Sequence, residues 1–248
     1  MKVPDAILNV WNAFYDFPME TITKAWLYQQ SSGSRQRSVS EMVEHRHEYG
    51  TSGNCFDLAI WLLHEFQRAG VRAHAIGHDF FAPEAHVAIL AYEGEQRYLC
   101  DLGDQWISPI LIDYPRGEFV EPMSGFFPAA KVQINTTGSD CVVTYHRPSG
   151  KISRQSYSLD EIEYEELLRA GQHSQRLLRK PLCEMRIAFE GEIAHWEFYN
   201  WSSFLSTDSF LHNEPPASST DEWCDRIHAH TGISRHVIAQ SLGVYSRL

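Results

Sequence analysis

Cysteine is scarce in this chain, and no two cysteines stand close together. Five occur in 248 residues, at positions 55, 100, 141, 183 and 224. The odd count and the lack of any Cys-x-x-Cys pair argue against a disulfide frame and against structural zinc. They point to reduced thiols in a cytoplasmic protein. Long apolar runs are missing too; none approaches the ~20 residues that span a bilayer. The opening residues, Met1-Lys2-Val3-Pro4-Asp5, hold no apolar core or small-residue cleavage site, so no signal peptide is expected. Basic residues are outnumbered 21 to 32, for a formal charge of −11. That balance speaks against nucleic acid or an anionic membrane as partner. There is no Gly-rich phosphate loop, internal repeat or low-complexity tract.

What is present is enough apolar material for a packed core, with 43% hydrophobic and 12% aromatic residues. Helical spacing predicts helices over 5–16, 20–30 and 39–48, the third capped by Ser38 or Ser40. Residues 55–69 form the clearest helix: Phe56, Ala59, Ile60, Leu63 and Phe66 share one face, and Gly70 ends it. Strands are expected at Val71–Gly77, His86–Tyr92 and Arg97–Leu102. Pro109, Pro115 and Pro122 then punctuate an irregular stretch. Further strands are expected at Val132–Ile134, Cys141–His146, Ile152–Tyr157, Cys183–Phe189 and His195–Phe198. A charged helix is expected at Asp160–Gly171. Ser219-Thr220-Asp221-Glu222 opens a final helix that Gly232 ends.

The fold class is therefore α+β. An N-terminal helical segment (1–50) precedes a core (51–160) with an antiparallel, barrel-like sheet, and a C-terminal α/β lid region (161–248) follows.

The chemistry concentrates in three residues. Cys55 lies in Ser52-Gly53-Asn54-Cys55-Phe56-Asp57, at the start of the clearest helix. Unpaired N–H groups and partial positive charge at a helix N-terminus favour a thiolate, which is the nucleophilic form. His86 opens one strand, and Asp101 closes the next. If the turn between them is centred between Gly94 and Glu95, paired residue numbers sum to 189, and Tyr92 faces Arg97. His86 and Asp101 then share a face as diagonal neighbours, close enough for a hydrogen bond. A turn of odd length would place them on opposite faces. The expected roles are Cys55 as nucleophile, His86 as base and Asp101 as the acid that orients the base.

At these residues the chain resembles the transglutaminase-like superfamily, which shares this Cys, His, Asp order. Gly53–Ala59 and Arg68–Ala73 are similar to its nucleophile helix and following strand. Within it, Tyr98-Leu99-Cys100-Asp101-Leu102-Gly103 and Ser108-Pro109 resemble the arylamine N-acetyltransferase branch, and Trp223–Ile233 is similar to that branch's terminal helix. Gly50-Thr51-Ser52-Gly53-Asn54 departs from the branch, which has an arginine and paired glycines there. The resemblance implies an acyltransferase that carries the acyl group as a Cys55 thioester and passes it to an amine. It implies no bound cofactor, with acyl-CoA or another acyl thioester as co-substrate. The partners are then a small acyl donor and an amine acceptor. The same triad would also serve a peptidase or deamidase with water as acceptor, and a binding protein on a lapsed catalytic fold is the remaining reading.

Rival groups have plainer readings. His74 and His78 follow the same helix and are alternative bases or substrate-side residues. Asp57 complements the helix dipole. His45-x-His47 and His228-x-His230 do not put both rings on one helix face, so no metal site is expected there. Phe80 and Phe81 line a pocket or pack into the core. Trp196, Phe198, Tyr199 and Trp201 read as sheet core, and Cys100, Cys141, Cys183 and Cys224 as buried apolar groups.

Overall fold

The structure is a computed structural model describing residues 2–30, 33–113 and 121–248; Pro115 lies outside the described residues. The N-terminal part holds α1 (Asp5–Asn12), a short strand β1 (Met19–Glu20), α2 (Ile22–Tyr28) and α3 (Val39–Tyr49). Ser38 caps α3 by a reciprocal capping box with Glu41. The long helix α4 (Cys55–Arg68) follows. It buries Phe56, Leu58, Ile60, Leu62, Leu63 and Phe66, so almost its whole circumference is covered.

Seven antiparallel strands make the larger sheet. They are β2 (Ala73–His78), β3 (His86–Glu93), β4 (Gln96–Cys100), β5 (Ile110–Leu111), β6 (Lys131–Thr137), β7 (Asp140–His146) and β8 (Ile152–Ile162). Their spatial order is β5-β4-β3-β2-β8-β7-β6, so β8 returns to pair with β2. Helix α4 packs on β2 and β3, and α5 (Tyr164–Arg176) packs on α4.

The smaller sheet contains β9 (Leu182–Phe189), β10 (Glu192–Tyr199), β11 (Ser202–Ser206) and β12 (Leu211–Asn213). Its far edge is β1, brought from the other end of the chain. Two helices, α6 (Thr220–Thr231) and α7 (Arg235–Tyr245), cover it, and α7 packs on α2. The mixed α+β architecture with an antiparallel central sheet is the expected one. No described helix is long and apolar enough to cross a membrane.

The β3–β4 hairpin has the anticipated register. Tyr92 pairs with Arg97 and Glu93 with Gln96, so the turn is the two residues Gly94-Glu95. Gly94 has φ 57°, the positive value that the first position of such a turn demands.

Several elements differ from expectation: β4 ends at Cys100, so Asp101 follows the strand instead of closing it, and the short strands β1, β5, β11 and β12 were not expected. Asp160–Ile162 continue β8 instead of opening a helix, because Tyr157 and Leu159 alternate inward and Ile162 still pairs with Ala75. The helix starts at Tyr164. Gly232, at φ 70°, ends α6 as expected, yet α7 follows it, burying Val237, Ile238, Leu242 and Tyr245. That helical spacing is visible in the sequence.

Candidate active site

The loop before Cys55 is held from three sides. The Glu20 carboxylate accepts the Gly53 N–H at 2.7 Å. Arg37 and Asp57, each 1% exposed at the side chain, form an ion pair at 3.4 Å, and Arg37 also donates to the Ser52 carbonyl at 2.9 Å. Asp57 accepts further bonds from Gln36 at 2.8 Å and Gln175 at 2.9 Å. It is a buried hub as well as the residue that complements the helix dipole. Gly53 has φ 103°, and a Cβ there would come within 2.1 Å of the Asp57 carboxylate. Only glycine fits this position.

Asn54 caps α4, accepting from the N–H groups of Phe56 at 3.0 Å and Asp57 at 3.2 Å. Of the first three amides of the helix, that of Cys55 alone has no acceptor among the described residues. It is the donor available to an oxyanion forming next to the sulfur. Cys55 is also the one cysteine that is not fully buried. Burial pushes the Cys100 and Cys183 thiols well up, and the Cys141 thiol up to about 11. Those three remain protonated and unreactive near neutrality.

The structure brings Cys55, His86 and Asp101 together. His86 Nε2 lies 2.7 Å from Asp101 Oδ2. The other ring nitrogen, Nδ1, is not engaged by Asp101, and Cys55 is close enough to the ring to raise its pKa. A Cβ built on Gly103 would lie 2.7 Å from Cys55 Cβ, 3.0 Å from His86 Cε1 and 3.2 Å from Asp101 Oδ1. All three side chains therefore converge on one point. Burial works against a charged His86 imidazole, but the Asp101 charge and hydrogen bond, the Cys55 contact and Asp104 outweigh it. The imidazole is held well above its ordinary value.

Asp101 is fully buried and well furnished with donors. Besides His86 it takes the Tyr157 hydroxyl at 2.7 Å and the Asp104 N–H at 3.0 Å. Tyr145 in turn donates to the Asp104 carboxyl, which burial and the Asp101 charge push up. Sequence reasoning missed Tyr157 and Tyr145. They come from β8, which topology brings beside β2, and from β7 on the far side of β8.

The rival groups separate clearly. The His78 ring stacks on that of His86, with centroids 6.2 Å apart, and bonds Asp79. It is a neighbour of the site, not a member of the chain of hydrogen bonds. His74 faces the Leu159 carbonyl and the Tyr92 ring instead. Phe80 packs against Phe56, whereas Phe81 is 54% exposed. Trp196 and Phe198 are buried in the second core, and Tyr199 is largely exposed. His45 and His230 are half-buried ring partners of Trp26 and Trp196.

A cleft of about 470 Å³ comes within one residue of His86 in sequence, though none of Cys55, His86 and Asp101 lines it. Lys24, Arg179 and Lys180 line it, together with Ala85, the residue before His86. Burial lowers Lys24, and the Cys55 sulfur is the first of the groups that oppose this.

No family model matches this chain, and no curated protein matches it. Solved structures do. The arylamine N-acetyltransferase of Mycobacterium smegmatis matches at a TM-score of 0.72 and 13% identity, over 97% of this chain and 91% of that one. That of Mycobacterium marinum, determined in complex with CoA, matches at 0.72 and 11%, over 95% and 91%. One from Bacillus cereus, described as having a unique Cys-His-Glu catalytic triad, matches at 0.67 and 12%, over 94% and 92%. The likeness is one of fold: the chain has the arylamine N-acetyltransferase-like architecture along nearly its whole length.

Proposed function

We propose that this chain is a thiol-dependent N-acyltransferase with Cys55 as nucleophile, His86 as base and Asp101 as the residue that orients His86. The Cys55 sulfur attacks the carbonyl carbon of an acyl thioester such as acyl-CoA. The new carbon–sulfur bond to Cys55 forms, the donor's carbon–sulfur bond breaks, and the donor thiol leaves with the proton from His86. An amine nitrogen then attacks the Cys55 thioester and loses its proton to His86. The amide departs, and the thiolate–imidazolium pair is restored.

The observation that carries this reading is the convergence of Cys55, at the N-terminus of α4, on the hydrogen-bonded His86–Asp101 pair. The fold likeness supports transfer, since a neighbour of the same architecture holds CoA. The cleft lined by Lys24, Arg179 and Lys180 supports a donor that carries negative charge. The five free cysteines support a reducing, cytoplasmic setting.

Intact-protein mass spectrometry after incubation with acetyl-CoA tests the reading. The expected result is one acetyl adduct per chain, mapped to Cys55 and discharged by an aromatic amine. Release of ammonia or peptide cleavage without an adduct makes the protein a hydrolase. No adduct and no hydrolysis leaves only a binding role.

A further inference from the structure

A second group of titratable side chains lies on the smaller sheet, and the acyl-transfer chemistry makes no use of it. Glu184 on β9 stands directly opposite Glu197 on β10. His195 is two residues before Glu197 and so points to the same face. One donor atom from each of the three lies within 4.8 Å of the others. His195 is only 3% exposed, and neither of its ring nitrogens has a hydrogen-bond partner. Its Nε2 is aimed at Glu184 Oε1 from 3.7 Å, too far for a hydrogen bond.

A buried imidazole left unbonded is costly, and two carboxylates facing each other across a ladder repel. The titration of the group reflects this. Burial and Glu197 hold Glu184 well above the carboxylate range, burial raises Glu197 to about 7, and burial with Arg147 and Arg186 drives His195 down to about 3. The basic neighbours do not close the cluster. Arg186 is spent on the carbonyls of Trp106 and Phe14, and neither Arg147 nor Lys151 is within salt-bridge distance of these carboxyls.

We propose that Glu184, His195 and Glu197 form a binding site for a divalent transition-metal ion of the zinc class. One neutral imidazole and two carboxylates are a donor set such ions accept. Bonds of about 2.0–2.2 Å require the three donor atoms to draw somewhat closer, which rotation of the two Glu side chains supplies. A cavity of about 420 Å³, lined by Glu197, Arg147, Lys151 and Ser206, gives access from the surface. Arg147 and Lys151 at its mouth favour an anion as the fourth ligand.

Equilibrium dialysis of the purified full chain against Zn2+ tests the site, with bound metal counted by elemental mass spectrometry. Calorimetric titration in two buffers of different ionisation enthalpy runs alongside it. One ion per chain is expected, with proton release, because the raised carboxyls must ionise to bind. Glu197→Gln and His195→Asn should each weaken binding by at least the ~100-fold that loss of an outer-sphere partner can cost. A control replacing the exposed His47 and His228 with Asn should bind as the parent does. Circular dichroism melts establish that each variant folds. Lack of stoichiometric binding by the parent chain overturns the proposal. So does undiminished binding by the folded cluster variants, or loss of binding in the surface control.

Discussion

His86, whose side chain is 13% exposed, and the buried His195 are both largely withdrawn from water, yet they sit in opposite states. His86 shares a 2.7 Å hydrogen bond with Asp101 and is held well above its ordinary titration range. His195 has no partner at either nitrogen and is driven down to about 3. Burial acts on both in the same direction, toward the neutral form. The difference is the carboxylate. Asp101 is fixed by Tyr157 and by the Asp104 N–H, so it meets the ring at hydrogen-bond distance as an oriented acceptor. Glu184 stands 3.7 Å from His195 and is itself discouraged from ionising. In this protein the imidazole held in the charged form is the one whose carboxylate has donors of its own.

Four substitutions press on this contrast. Cys55→Ser removes the sulfur beside His86, and on the proposed mechanism amine acylation should fall by on the order of 10⁵-fold or more while the thermal melt is unchanged. Asp101→Asn keeps the shape but stabilises the wrong imidazole tautomer, and kcat/KM should fall about 10⁴-fold. An unchanged rate would make Asp101 a structural residue. Gly103→Ala inserts a methyl group among the three converging side chains, only 2.7 Å from Cys55 Cβ. The displacement should cost about 100-fold in kcat with a smaller effect on KM. Tyr157→Phe strips one donor from Asp101. Chemical denaturation should show a loss of about 1–2 kcal/mol, and steady-state assay about a tenfold slower rate. If Tyr157→Phe were silent in both measurements, the support of Asp101 by its own donors would not matter.

That Cys55, His86 and Asp101 would meet was legible in the sequence because the signals are local. Cys55 begins the most strongly patterned helix. His86 and Asp101 flank one tight hairpin, and their common face follows from the two-residue turn at Gly94-Glu95. Residues that act through long-range pairing were not legible. Tyr157 reaches Asp101 only because β8 returns to lie beside β2. Arg37 meets Asp57 across a helix and a loop. Glu184 faces Glu197 across the two-residue turn Glu190-Gly191, a register as readable as that of β3–β4, but the strand residues carry no chemical motif that draws attention to it. Asp160–Ile162 misled because a run of charge looks the same on an edge of a strand as on a helix. The two-residue strand β1 carries no periodic signal at all.

The central claim is that His86 and Asp101 act together to keep the Cys55 sulfur ready to attack. The rate of Cys55 alkylation by iodoacetamide, followed against pH in the parent chain and in Asp101→Asn, tests it most directly. A charged imidazole beside the sulfur favours the thiolate. Alkylation of the parent at neutral pH should therefore be faster than that of Asp101→Asn by about tenfold or more, since His86 is held charged only while Asp101 is ionised beside it. Two superimposable profiles, with the parent no faster than Asp101→Asn at any pH, would contradict the claim.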